Sequence, residues 1–232
     1  MEPAVTAAPA GQRSQQRTDV RRAPHKQVRD RAALDALLDA ALVAHVAVVE
    51  DGGDGVPAQP YVVPLGVARD GDRLLLHGST ASRALRALAV GAPTCATVTI
   101  LDAVVMARSQ FESSMNYRSA MVLGRCTELA GEDKERALAA LSERLLPGVE
   151  GQRTPTRKEL AATSILALPL EEWSLKVSAK DGPEDEPCDL DREVWAGIVP
   201  LRHVWGEPVD APDLRVDAAP PAAIATWPEG RS

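Results

Sequence analysis

Residues 74–83 read LLLHGSTASR, a run in which one kind of structure gives way to another. The three leucines predict a buried strand, the Gly-Ser-Thr after them predicts a turn, and a helix is expected to begin within the next few residues. The first turn of a helix leaves N–H groups unpaired at the positive end of its dipole, which favours a phosphate. The hydroxyls of Ser79, Thr80 and Ser82 add donors, and Arg83 can bind a phosphate through two N–H groups. An ordinary N-cap followed by a surface arginine explains the same residues equally well, so the run alone leaves both interpretations open.

Short strands and helices are predicted on both sides of this run. Apolar spacing predicts helices at 31–42, 81–90 and 132–146, a short fourth helix after the capping box at 156–159, and strands at 43–50, 58–68, 73–77, 94–101, 104–109, 118–129, 164–168 and 173–178. Many strands at close spacing indicate a mainly β fold, a small antiparallel barrel with peripheral helices. A doubly wound parallel sheet is the alternative. It requires regular alternation of strand and helix, which residues 58–77 and 94–129 lack.

The two ends of the chain differ in composition from its middle. Residues 1–27 are rich in Ala, Arg, Gln and Pro without periodicity, and predict a mobile basic arm. This arm is either a solvated tail or a segment that closes over an anionic cofactor. Residues 28–205 are expected to form the single domain, and 206–232 a Pro-rich irregular tail.

Composition excludes several classes of function. The net charge is −7 and aromatic residues make up 3% of the chain, which argues against a nucleic-acid binder that relies on basic clusters and stacking rings. Three cysteines lie far apart without a CxxC pair, so no disulfide framework or zinc site is predicted, and Cys95 and Cys126 are expected to be small core residues. No run is apolar over the length of a membrane span and no secretory signal is recognised, so a cytoplasmic protein is expected.

Three stretches together resemble the actinobacterial pyridoxamine 5'-phosphate oxidase-like family. They are residues 75–83, the run LDAVVMARS at 101–109 and the run SMNYRS at 114–119, and weaker similarity extends from Arg17 to WAGIVPL at 195–201. The resemblance implies an FMN-binding split β-barrel. It also implies a homodimer that holds the flavin in a cleft between its subunits.

The resemblance also implies roles for individual residues. Ser82 and Arg83 match the Ser-Arg pair that holds the FMN phosphate, and Arg118 and Ser119 match residues that face the flavin. Trp195 matches a C-terminal tryptophan that reaches the partner's flavin. The backbone expected against the isoalloxazine edge belongs to Val62, Val63, Pro64 and Leu65.

The chain departs from the family at three positions near the expected cleft. Ala84 stands where the true oxidases have a lysine, and Glu112 and Ser113 stand where close relatives usually have two histidines. Losing the two histidines argues against vitamin B6 oxidation. The Glu112 carboxylate would suit a substrate that carries an amine, by direct pairing or as a general base, although a solvent-facing loop residue explains it as well.

The four histidines show no spacing typical of a metal site, and no metal is predicted. His45 lies in an apolar strand and is expected to be a satisfied core residue. His77 lies at the mouth of the predicted phosphate turn. It is therefore the better candidate for a flavin contact, a proton donor or an axial haem ligand.

Three functions follow from these residues. The first is an FMN-dependent oxidoreductase that acts on a small molecule, with His77, Glu112, Tyr117 and Arg118 as candidate catalytic residues. The second is a split barrel that binds haem or no redox cofactor and catalyses a rearrangement or elimination. The third is a flavin-binding module without turnover.

Overall fold

Ten antiparallel strands form one sheet in the computed structural model, which describes residues 17–50 and 57–227. The strands are β1 (Gln27–Val28), β2 (Val43–Glu50), β3 (Gln59–Asp70), β4 (Arg73–Ser79), β5 (Pro93–Met106), β6 (Ser114–Arg125), β7 (Thr127–Glu128), β8 (Thr163–Pro169), β9 (Glu172–Ser178) and β10 (Gly197–Pro200). The helices are α1 (Arg31–Ala40), α2 (Arg83–Ala89), α3 (Gly131–Leu145) and α4 (Arg157–Ala162). The Gly- and Asp-rich stretch at 51–55, which predicts a turn between β2 and β3, lies outside the described residues. Within the described ranges, no helix is long and apolar enough to cross a membrane.

The sheet curls into a barrel, because two strands that are continuous in the chain pair with distant parts of it. Its strand order is β1-β9-β6-β5-β2-β3-β4-β8-β7, and β10 pairs with β5. Only Cys126 separates β6 from β7, yet β6 pairs with β5 and β9 whereas β7 pairs with β8 at the far side. The predicted antiparallel barrel with peripheral helices is therefore confirmed, and the doubly wound parallel alternative is wrong.

Strand β3 divides between the two halves of this barrel. Its residues 59–66 pair with β2, and Val67 to Asp70 pair with β4. The strands β3 and β4 therefore part at Gly66 and His77, one position beyond the Val67–Leu76 pair. This fork leaves one edge of residues 59–66 without a strand partner among the described residues.

Aliphatic side chains fill the barrel interior. Helix α1 begins at Asp30, whose carboxylate accepts the N–H groups of Ala32 and Ala33 at 3.2 and 3.3 Å. The helix packs against the sheet through three fully buried leucines at helical spacing, Leu34, Leu37 and Leu38. Burying one such side chain contributes about 1.5–3 kcal/mol to folding. The low aromatic content of the chain is therefore no obstacle to a stable core.

A second apolar cluster lies on the outer side of β4, beneath α3. Leu74 and Leu76 face the barrel interior, whereas Leu75 packs with Ile165 and with Ala137 of α3. Because side chains alternate along a strand, His77 lies on the same side as Leu75. Strand β4 is thus covered on both faces, and this cover determines the surroundings of His77.

Several strand boundaries differ from those expected. The predicted strands at 94–101 and 104–109 merge into one strand, β5, because a bulge at Asp102 lets the pairing with β6 continue. This strand ends at Met106, so residues 107–109 lie outside it. Residues 114–117 belong to β6 rather than to the loop before it. Strand β10 was not predicted, since four residues that include Gly197 and Pro200 carry too short a pattern.

Both ends of the described chain pack against the domain. Residues 17–27 of the expected arm lie along the sheet, where the Gln27 amide accepts the Val20 N–H at 3.0 Å and Arg17 forms an ion pair with Glu172. The predicted Pro-rich tail contains one short 3-10 helix, Ala222–Thr226. Its Trp227 indole donates to the Pro147 carbonyl at 3.0 Å, which fastens the tail near the end of α3.

Candidate functional site

The strand expected to meet a flavin presents one face and one edge to solvent. Val62 is 61% exposed and Pro64 is exposed, whereas Val63 and Leu65 are half-buried and point to the interior. Pairing aligns the outward side chains with those of β2, β5 and β6. We call this surface the open sheet face and define it by Val43, His45, Val62, Pro64, Thr97, Ser119 and Met121.

His45 is exposed on the open sheet face, so the prediction of a buried core histidine is wrong. Its neighbours Ala44 and Val46 are buried, and alternation along the strand turns His45 to the opposite side. It lies between Pro64 of β3 and Thr97 of β5 in the sheet. An apolar strand therefore placed the imidazole on its uncovered face.

The serines and threonine of the turn at 79–82 bind the protein's own backbone. The Ser79 hydroxyl accepts the Ala81 N–H at 3.1 Å, and the Ser82 hydroxyl caps α2 by accepting the Leu85 N–H at 3.4 Å. The N–H and hydroxyl of Thr80 both point to the Ala162 carbonyl, at 3.0 and 3.3 Å. Because the two serines act as acceptors, each keeps its own O–H for another partner, whereas the Thr80 donors are already used.

Arg83 extends from the start of α2 toward the beginning of β3. Its side chain is 66% exposed, its guanidinium lies 5.3 Å from the centre of the Tyr61 ring, and Nη1 lies 3.5 Å from the Glu50 carboxylate. Stacking on the ring restrains the cation while one side stays in solvent. Tyr61 precedes Val62 directly, so the structure brings Arg83 close to the first residues of β3.

His77 lies beneath α3 rather than at the mouth of the turn. Its Nδ1 atom is 3.3 Å from the Gly66 carbonyl, and a Cβ on residue 66 would come within 2.9 Å of the ring. The ring borders a cavity of about 100 Å³ between the sheet and α3, lined by Leu42, Gly66, Val67, His77, Leu138, Leu141, Ser142, Arg144 and Leu145. The fork between β3 and β4 nevertheless keeps this imidazole close to the free edge of residues 59–66.

Arg118 and Ser119 point to opposite faces of β6. The Ser119 hydroxyl lies 2.8 Å from that of Thr99 on the outward side. The Arg118 guanidinium instead binds both oxygens of Asp102, with Nε–Oδ2 at 3.1 Å and Nη2–Oδ1 at 2.7 Å. Sequence reasoning did not select Asp102, and its only signal was the break between two predicted strands, where the bulge lies.

The remaining predicted site residues do not converge on one point. Glu112 is half-buried in the turn before β6, where its N–H donates to the Ser109 hydroxyl at 3.1 Å. The Lys26 ammonium lies 5.8 Å from the centre of the Tyr117 ring. Trp195 is 62% exposed, and its ring folds back over Gly197, where a Cβ would come within 2.7 Å.

The cysteines and acidic groups offer no metal site in the part of the chain that the structure describes. Cys126 is buried, as predicted, and burial raises the pKa of its thiol to about 11. Cys95 is half-buried on the outward side of β5, with its sulfur 3.7 Å from the Thr97 hydroxyl, so its prediction as a core residue is wrong.

Comparison with solved structures finds two similar proteins over nearly the whole chain. The FAD and haem binding protein from Mycobacterium smegmatis is 44% identical, with 89% of this chain and 100% of that chain covered and a TM-score of 0.82. The flavocytochrome from Azotobacter vinelandii is 34% identical, with 92% and 97% covered and a TM-score of 0.81. A putative 5-nitroimidazole antibiotic resistance protein from Bacteroides thetaiotaomicron, 20% identical over 65% of this chain and 86% of that chain with a TM-score of 0.53, shares the fold.

Family membership follows from a match over most of the domain. The family model described as pyridoxamine 5'-phosphate oxidase matches residues 30–177, which include α1 and the strands from β2 through nearly all of β9. No curated protein matches the chain. The antiparallel architecture is the split barrel of the similar structures. The chain therefore belongs to the pyridoxamine 5'-phosphate oxidase family.

Proposed function

We propose that this protein is a flavin-dependent oxidoreductase that acts on a small molecule. The observation that carries the proposal is the free edge of β3 at residues 59–66, a stretch in which the Tyr61 ring contacts Arg83. Unpaired backbone N–H and C=O groups require partners, and the polar edge of a flavin ring supplies matching acceptors and donors. The names of the Mycobacterium and Azotobacter proteins, which report FAD, haem and a flavocytochrome, support a flavin in this chain as well.

The turn at 79–83 supplies the phosphate contacts of the proposal. Ser79 and Ser82 keep their O–H donors, and Arg83 would exchange the 3.5 Å contact with Glu50 for a charge-assisted bond to phosphate. Thr80 holds the turn against Ala162 and would position these groups. Because FMN and FAD share this phosphate, the site suits either cofactor, and FMN stays the prediction from sequence.

The flavin would supply hydride transfer, and the protein would bind and orient it. Val62 and Pro64 would lie against the ring from the edge of β3, with Ser119 farther across the open sheet face. Arg118 does not take part, since it points to the other side of the sheet and binds Asp102. Apolar contacts at Val62 would exclude water from one side of the ring.

A second candidate function, electron transfer through haem, is supported by His77. If its Nδ1 carries the proton, it donates to the Gly66 carbonyl, and Nε2 keeps the lone pair that binds a metal. Leucine side chains and Arg144 line the same cavity as the His77 ring, and such an apolar lining with one cation suits an apolar macrocycle with acidic groups. The cavity of about 100 Å³ is much smaller than a porphyrin, so haem binding at His77 would require α3 to move outward.

The proposal includes a homodimer formed through the open sheet face. Val43, Val62 and Met121 are each 40% exposed or more on this face, and two further exposed apolar side chains, Val104 and Met115, continue it along β5 and β6. Exposed apolar patches of this kind favour association. A partner on this face would cover the free edge of β3 and complete a closed flavin site.

The visible absorbance spectrum of the purified protein tests both functions. The expected result is a flavin spectrum, and acid extraction followed by chromatography then distinguishes FMN from FAD. A colourless protein that binds neither FMN nor FAD on addition would overturn the flavin proposal. Turnover with small-molecule electron donors would then separate an enzyme from a binding module.

Paired histidine variants test the haem assignment. If a Soret band is present, His77→Ala should abolish it and leave the flavin bands unchanged. His45→Ala is the matched control, because this imidazole lies on the open sheet face away from α3. A Soret band that survives in His77→Ala and is lost in His45→Ala would show that the assignment is wrong.

A further inference from the structure

A gap in the sheet opens between β2 and β10. Both strands pair with the same edge of β5, β2 at residues 95–97 and β10 at residues 103–106. Among the described residues, the stretch 98–102 has no strand partner on that edge. A cavity of about 220 Å³ lies at this gap, lined by Ile100, Leu101, Asp102, Arg118, Leu201, Arg202 and His203.

The bulge and the segment after β10 border this cavity, which is open to solvent on one side. The Leu201 N–H donates to the Asp102 carbonyl at 2.9 Å, which holds the segment from Leu201 to His203 against β5. The same segment borders a neighbouring concavity of about 400 Å³ that extends to Trp205. Since a water molecule takes up about 30 Å³ in the liquid, the first cavity has room for about seven waters or one small organic molecule.

The cavity combines an apolar floor with an excess of basic groups. The floor is formed by Ile100, Leu101 and Leu201. The cavity is also lined by three basic side chains, Arg118, Arg202 and His203, and by one carboxylate, that of Asp102. Even with His203 neutral, the charges of these groups sum to one positive unit. A ligand that matches this lining carries a negative group on an apolar body.

Asp102 orients Arg118 without using all of its donors. Its two oxygens bind Nε and Nη2, at 3.1 and 2.7 Å, and this fork fixes the plane of the guanidinium. The Nη1 amino group is not part of the fork, so it can still donate to a ligand carboxylate. Arg202, on the exposed segment, is the second cation that such a carboxylate would meet.

We propose that this cavity binds a small organic carboxylate with an apolar body, held by Arg118 and Arg202 over Ile100, Leu101 and Leu201. The inference does not rest on the proposed flavin, because the cavity is built from β5, β6 and the segment after β10 alone. Asp102 acts in this site as a positioning residue that orients Arg118.

Calorimetric titration of the purified full-length protein tests the site, with benzoate as the probe. Benzamide, which has the same ring without the charge, should bind at least tenfold more weakly, since the charged hydrogen bonds are lost. Arg202→Ala should weaken benzoate binding about tenfold. Arg215→Ala is the matched control, because this exposed arginine lies farther along the same C-terminal segment and outside the cavity lining.

The proposal would be overturned by the absence of benzoate binding, by equal binding of benzamide and benzoate, or by equal affinities in the Arg202→Ala and Arg215→Ala variants. Inorganic phosphate separates an apolar carboxylate site from a bare anion site. Weaker binding of phosphate than of benzoate supports the proposal, and equal or tighter binding contradicts it. The heat signal does not involve a flavin, so a failed flavin proposal leaves this test intact.

Discussion

The Nδ1 atom of His77 lies 3.3 Å from the carbonyl oxygen of Gly66, at the point where β3 and β4 part. The absence of a side chain on Gly66 allows this approach, because a Cβ there would come within 2.9 Å of the imidazole Cε1. The pair joins the free edge of β3, where the flavin is proposed, to the cavity beneath α3.

Gly66→Ala should displace the His77 ring. The added methyl group must displace the ring, and such overpacking costs about 1–3 kcal/mol of the free energy of unfolding. Urea denaturation measures the change. Gly182→Ala is the control, since a Cβ there meets nothing within 4 Å. Equal stabilities of the two variants would mean that the contact has no energetic weight.

Arg83→Ala should weaken flavin binding and leave the fold intact. Loss of one charge-assisted contact to phosphate costs about 1.5–3 kcal/mol, or tenfold and more in affinity. Fluorescence titration with FMN and FAD measures the affinity. Arg86→Ala removes an exposed arginine from the same short helix and should bind flavin as the wild type does. An unchanged flavin affinity in Arg83→Ala would show that Arg83 does not bind the flavin phosphate.

Met121→Glu should convert the proposed dimer to monomers. Met121 is 40% exposed on the open sheet face, and a charge there would have to be buried in the interface without a partner. Analytical ultracentrifugation at micromolar concentration measures the oligomeric state. Val90→Glu is the control, because Val90 is an exposed apolar residue at the end of α2. A wild-type monomer that retains flavin would contradict the proposal itself.

Asp133→Asn should destabilise the protein at neutral pH and lose its effect in acid. Hydrogen bonds from Arg73, at 2.8 and 2.9 Å, lower the pKa of Asp133 to about 2. The folded state therefore favours the ionised carboxylate. This stabilisation is complete above the unfolded pKa of about 3.9 and disappears as the pH falls through about 2.

Thermal unfolding of both proteins from pH 7 down to pH 2 measures the difference in stability. The difference in stability between wild type and Asp133→Asn should be constant near neutral pH and should decrease below about pH 4. The Arg73–Asp133 bond joins the first turn of α3 to the start of β4. Weakening this bond therefore also loosens the helix that covers His77. A stability difference that stays constant down to pH 2 would mean that the Arg73–Asp133 ion pair does not contribute to stability.

Local patterns in the sequence were sufficient for most of the elements. The leucine spacing in 31–42 predicted α1, and the Thr156–Glu159 capping box predicted α4. The run at 74–83 predicted a strand, a turn and a helix in that order, which β4 and α2 confirm. These features depend on neighbours within about four residues, so a single stretch of chain contains their cause.

Only the tertiary structure decided which face of each strand is covered by other parts of the protein. Alternation shows that Arg118 and Ser119, or Ala44 and His45, lie on opposite sides, but the covered side depends on helices distant along the chain. Helix α1 and the curl of the sheet bury Ala44 and expose His45. The bulge at Asp102 reverses the alternation partway along β5. The sequence by itself therefore determined the elements and the family, whereas long-range packing determined which side chains meet.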